Sequence, residues 1–135
     1  MSNRTPGLVC AHHHLYSTLA RGMPAPPSAP TDFISTLRQV WWRLDAQLDA
    51  EMLYWSAALG AAEALMSGTT SIIDHHESPN FIEGSLDVIA KACADMGVRV
   101  NTCFGATDRW TDNGTLVDSV DPTSSMTSAA KRALN

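Results

Sequence analysis

The sequence carries little charge: 17% of its 135 residues are Asp, Glu, Lys or Arg, against 44% that are apolar. A disordered chain shows the opposite balance, so this one is composed to bury a core. Basic residues are scarcer still. Nine Lys and Arg face 14 Asp and Glu, a net charge of −5, which argues against nucleic-acid and membrane partners. Long apolar runs are missing as well. The most apolar stretch, 52–66, is interrupted by Ser56 and Glu63 and is too short to span a bilayer. Residues 1–6 are polar, so no basic-then-apolar leader opens the chain. Cysteine is limited to Cys10, Cys93 and Cys103, an odd, widely spaced set without a Cys-x-x-Cys pair. That excludes a disulfide framework and a thiolate zinc knuckle, and reads as reduced thiols in a cytoplasmic protein. Length is short in one respect: a (β/α)₈ barrel needs roughly 200 residues or more.

What is present reads as alternating strands and helices. Leu8 to Ala11 is a short apolar run after Pro6-Gly7, as in a strand buried in a parallel sheet. Four prolines between Gly22 and Pro30 make that stretch a long loop. Thr31 or Asp32 can cap a helix carrying Phe33, Ile34, Leu37, Val40 and Trp41. Asp49 caps a second, which runs through Met52, Trp55, Leu59, Ala62 and Met66 to Gly68. Residues 69–73 read as a strand, and Asp74 to Asn80 as a polar loop after it. Asn80 is expected to cap a helix with Leu86, Ile89, Ala90 and Cys93 on one face and Gly97 as its stop. Residues 98–104 form a third strand, and Asp121-Pro122 opens a last helix. This order predicts an α/β chain with a parallel sheet, whose chemistry lies beyond the carboxyl ends of the strands.

His12, His13 and His14 stand at such an end. Side chains two apart in a strand point the same way, so His12 and His14 can aim at one point while His13 faces away. Two neutral imidazoles on one side are half of a mononuclear zinc or iron site. A solvated polar run is the alternative at this stage.

Those residues resemble a known family. The run from Pro6-Gly7 through His12-His13-His14 to Ser17 is similar to the opening barrel strand of the amidohydrolase superfamily. Ala20 to Met23, Trp41 to Asp45, Glu63 to Thr70 and Asp74 to Asn80, in that order, resemble its SsnA-type aminohydrolase branch, near chlorohydrolases and guanine deaminases. Thr107-Asp108-Arg109 fits as well. The likeness spans 6–110, leaving 111–135 as an unassigned tail of a single domain, 1–135.

The resemblance implies a (β/α)₈, TIM-type barrel, of which this chain carries about the first three strand–helix units. It implies a divalent metal, zinc first and iron second, with His12 and His14 as two ligands. It implies a hydrolase of non-peptide carbon–nitrogen bonds, of the deaminase type, acting through metal-activated hydroxide on a small molecule such as a nitrogen heterocycle. The family's further histidines, aspartate and proton shuttle belong to later strands. No catalytic residue is therefore assigned, and the chain is expected to be a fragment.

Other candidates are weaker. His75 and His76 follow the second strand and could contact substrate or join His12 and His14. Asp74 and Glu77 could act as acid and base, although a turn-capping Asp and a solvated Glu are the simpler roles. Trp41, Trp42, Tyr54 and Trp55 could wall a pocket, or lie in the core. Arg21 and Arg109 could hold an anion, or sit in surface ion pairs. Two further classes remain open here: a non-catalytic half-barrel that pairs with another chain, a homo-oligomer included, and a small α/β metal-binding module.

Overall fold

Three parallel strands, β1 (Leu8–His13), β2 (Thr69–His76) and β3 (Arg99–Phe104), lie side by side in chain order. The computed structural model describes residues 4–111, 114–117 and 126–135. A 3₁₀ helix, Leu15–Gly22, follows β1. Then come α1 (Phe33–Thr36), a π turn (Leu37–Trp41), α2 (Trp42–Asp45) and α3 (Ala50–Met66). Helix α4 (Ser85–Met96) connects β2 to β3, and α5 (Ser128–Ala133) follows β3. Each parallel step crosses over through helix, as a βαβ unit requires.

The caps follow local chemistry. Asp32 accepts the Ser35 amide at 2.7 Å, and the Ser35 hydroxyl accepts the Asp32 amide in return. Asp49 accepts the Met52 amide at 2.8 Å. Gly97 ends α4 in the left-handed region at φ +87°, where a side chain is strained. One expectation needs correction. Gly84, not Asn80, stands at the start of α4, and the Asn80 side-chain amide instead donates to the Ala46 carbonyl at 2.6 Å. Among the described residues the last helix runs Ser128–Ala133, capped by Thr127; the expected Asp121-Pro122 start lies outside them.

Helix α3 buries a face made mostly of small residues. Met52, Trp55 and Met66 are exposed, while Leu53, Ser56, Ala57, Gly60 and Ala61 are buried. The helix is apolar on nearly all sides, so periodicity cannot choose a face. Close approach chooses it: the small residues let α3 settle onto α4 and the 3₁₀ helix. The core that results joins Leu15, Leu53, Ala57, Ile72, Ile89 and Cys93.

Strand β2 runs three residues beyond Ile73, because Asp74, His75 and His76 pair with Thr102, Cys103 and Phe104. Along it Ile72, Asp74 and His76 are buried against the helices, whereas Ile73 and His75 face the other side of the sheet. Strand β1 is irregular. Cys10 pairs with Ile72 and His13 with Asp74, so two residues of β1 stand opposite one of β2. This bulge puts Cys10 and His13 on the core side together and turns His12 away from it.

Candidate active site

His12 and His14 converge. Their Nε2 atoms lie 3.1 Å apart, with the rings edge to face. The Nδ1 of His14 is 2.9 Å from the His75 carbonyl oxygen. That oxygen can only accept, so Nδ1 carries the proton and a neutral His14 presents a bare Nε2 lone pair. Two metal–imidazole bonds of about 2.0–2.1 Å at a tetrahedral angle separate their nitrogens by about 3.3 Å. The pair therefore fits two adjacent positions of a metal site. Among the described residues no group of three or more His, Cys, Asp or Glu side chains converges to complete one.

The two other histidines part company. The His75 ring stands 5.5 Å from that of His14 and lines a cleft of about 320 Å³ at the strand ends. His76 is fully buried between Tyr16 and Phe104 and does not line that cleft. Burial lowers its pKa to about 3, so it is neutral. The Ser78 hydroxyl donates to the Phe81 carbonyl, leaving its oxygen to accept from His76 Nε2 at 2.7 Å. His76 Nδ1 then stays buried without a partner among the described residues.

Asp74 acts as a tie within the fold rather than as an acid beside Glu77. It accepts the Leu15 amide at 2.7 Å and the Thr102 hydroxyl at 3.0 Å, joining the chain after β1 to β2 and β3. Burial still raises its pKa above the usual carboxylate range.

The cleft's other walls come from the helical stretch after the proline-rich loop. Phe33, Leu37, Trp41, Trp42 and Asp45 face it. A π turn spans Leu37–Trp41, and adjacent Trp41 and Trp42 both line the cleft. Trp55 is exposed on α3 and Tyr54 bonds Asp95 at 2.7 Å, so neither takes part. Arg21 forms an exposed ion pair with Glu63. Arg109 pairs with Glu77 at 2.9 Å inside the cleft and stacks on Trp42, its guanidinium carbon 4.7 Å from the ring centre.

Asp45 and Tyr16 are the residues the sequence did not single out. Asp45 is 3% exposed, and its Oδ1 has no partner among the described residues. Burial, reinforced by the charge of Glu77, pushes its carboxyl up to about 7, against the nearby Tyr16 hydroxyl and Arg109 guanidinium. Burial and Asp45 hold the Tyr16 hydroxyl well above the usual phenol range. The only sequence signal was an acid within an apolar helical stretch, which also suits a solvated face.

The model of the amidohydrolase family matches residues 4–133. The chain belongs to that family. The amidohydrolase fold is a TIM barrel, and the three parallel strands are an arc of it. Among curated relatives, a 5'-deoxyadenosine deaminase of Methanopyrus kandleri is 38% identical over 103 residues. An 8-oxoguanine deaminase of Pseudomonas aeruginosa is 36% identical over 103 residues, and a 5-methylthioadenosine/S-adenosylhomocysteine deaminase of Desulforudis audaxviator 31% over 101. These matches cover 75–76% of this chain but 21–22% of each relative, so the chain spans about a fifth of their length. Amidohydrolases generally use a divalent metal, which the His12–His14 pair suits. Among the described residues, no helix of this amidohydrolase chain is long and apolar enough to cross a membrane.

Proposed function

We propose that this chain is the strand-end portion of a metal-dependent aminohydrolase, which removes an amino group from a flat nitrogen heterocycle by hydrolysis of a non-peptide carbon–nitrogen bond. The observation that carries this is the 3.1 Å approach of His12 and His14 Nε2, with His14 locked by the His75 carbonyl. The names of the relatives, all deaminases, support the reaction class. His12 and His14 hold the metal, and zinc is the first choice because neutral imidazoles suit it. When bound, the ion supplies Lewis acidity that makes hydroxide available near neutral pH. His14 stays a fixed ligand through its Nδ1–H bond, His75 faces the substrate, and Trp41 and Trp42 offer faces to a flat ring. His76, sealed in the core, positions the chain after β2 instead of touching substrate. The free thiols of Cys10, Cys93 and Cys103 accord with a cytoplasmic setting.

The test is zinc binding by isothermal titration of the wild-type chain and of the His14→Ala and His12→Ala/His14→Ala variants. Where even an outer-shell change costs about 10–100-fold in affinity, loss of a ligand should cost at least as much. Equal affinity in wild type and double variant would sink the assignment.

A second reading has its own observation. Both edges of the sheet are unpaired among the described residues, and Val9 and Ile73 are 64% and 46% exposed on the face opposite the helices. A half-barrel that pairs with another chain, a second copy included, would cover them.

A further inference from the structure

The Arg109–Glu77 pair is not spent as an ordinary surface ion pair would be. The two side chains are 25% and 14% exposed and stand in the cleft beside His14 and His75. Only Nη2 of Arg109 is engaged, donating to both Glu77 carboxylate oxygens at 2.9 Å. Its Nη1 makes no hydrogen bond among the described residues, although a guanidinium carries five N–H donors in a rigid plane. Each Glu77 oxygen, having accepted once, keeps a further lone pair.

The pair is also held still. Trp42 supports the guanidinium from one side, and the Arg109 amide bonds the Thr107 hydroxyl at 3.2 Å. Behind Glu77 lies Gly105, where a Cβ would come within 2.8 Å of the carboxylate and 3.0 Å of the His75 ring. A donor and an acceptor are thereby fixed next to each other beside an aromatic wall.

We propose that Arg109 and Glu77 are the specificity-determining residues of this cleft and that they read a lactam edge, –C(=O)–N(H)–, of a flat heterocycle. Arg109 donates to the ring carbonyl and Glu77 accepts from the neighbouring ring N–H. A heterocycle without the carbonyl leaves the guanidinium facing the cleft unmatched, and a ring nitrogen without hydrogen meets Glu77 lone pair to lone pair. The inference rests on the cleft being the substrate site, but not on the metal being bound.

Hypoxanthine and purine test it, because they share a ring system and differ in the lactam. Each is titrated into the metal-free chain, with quenching of tryptophan fluorescence as the readout, since Trp41 and Trp42 line the cleft. Hypoxanthine should bind at least about tenfold more tightly than purine, the effect of one charge-assisted hydrogen bond. In Arg109→Met that ratio should fall several-fold, because the ring carbonyl loses its donor while Glu77 still accepts from the ring N–H. Arg109→Lys keeps the charge but not the fork, and should lose most of the preference. It carries the comparison if circular dichroism shows the Met variant unfolded. The proposal fails if neither probe quenches the wild-type chain, if the two bind alike, or if Arg109→Met weakens both equally. Zinc titration of the same variants separates the two proposals. Unchanged zinc binding without lactam preference removes this inference alone, whereas lactam preference without His12- and His14-dependent zinc binding removes the deaminase reading alone.

Discussion

At the residue scale, placement rather than identity decides what each titratable group does. All five histidines lie within five residues of a strand end, yet only His12 and His14 bring ring nitrogens to each other, and the His75 carbonyl fixes the tautomer of His14 so that its Nε2 faces His12. Asp45 and His76 are opposite pH elements. The folded-state pKa of Asp45 is about 7 against an ordinary 3.8, so the folded chain holds that proton more tightly than the unfolded chain. The stability this contributes is complete below the ordinary value and is lost as pH rises through about 7. His76, lowered from 6.5 to about 3, contributes stability that is present above 6.5 and lost as pH falls towards 3. Asp45→Asn removes the first effect only. Its melting temperature relative to wild type should therefore climb between about pH 4 and pH 7.5, with a gain of up to a few kcal/mol at the upper end. A constant difference across that range, measured by thermal unfolding, would contradict the placement of Asp45.

At the element scale, α3 is the most instructive piece. Its ends were legible, since Asp49 caps it and Gly68 follows it, but its orientation was not. Apolar residues lie on nearly all of its sides, so spacing leaves the buried face open, and the structure turns the small ones inward so that backbones can approach. Leu53→Ala should cost about 2–5 kcal/mol, the range for a buried Leu truncated to Ala. Trp55→Gln, on the exposed side, should change stability by no more than about 0.5 kcal/mol. Urea unfolding of the two variants decides the matter, and the reverse ranking would contradict the buried face. The bulge in β1 belongs here too. Strict alternation puts Cys10, His12 and His14 on one face, but the extra residue leaves Cys10 in the core and His12 beside the cleft.

At the scale of the whole molecule, the low charge and the bare sheet face describe the same thing. Val9 and Ile73 stand exposed where a closed barrel has its interior. Expressed alone, the chain should associate in a concentration-dependent manner, and Val9→Lys with Ile73→Lys should shift it towards monomer without lowering its melting temperature. Sedimentation velocity combined with thermal unfolding measures both. A wild-type chain that stays monomeric at every concentration would show that neither its edges nor this face recruit a partner.

The order of the three strands, the cap at Asp49 and the parity of His12 and His14 were determined by the sequence alone, which left the first helix's cap open between Thr31 and Asp32. All depend on local physics: a cap acts within three residues, and alternation acts within two. The buried face of α3, the separation of His75 from His76, the isolation of Asp45, and the union of Glu77 with Arg109 across 32 positions were decided only by tertiary structure. The reason is physical in each case. Desolvation, close approach and ion pairing depend on which distant segments meet, and no spacing along one chain encodes that distance.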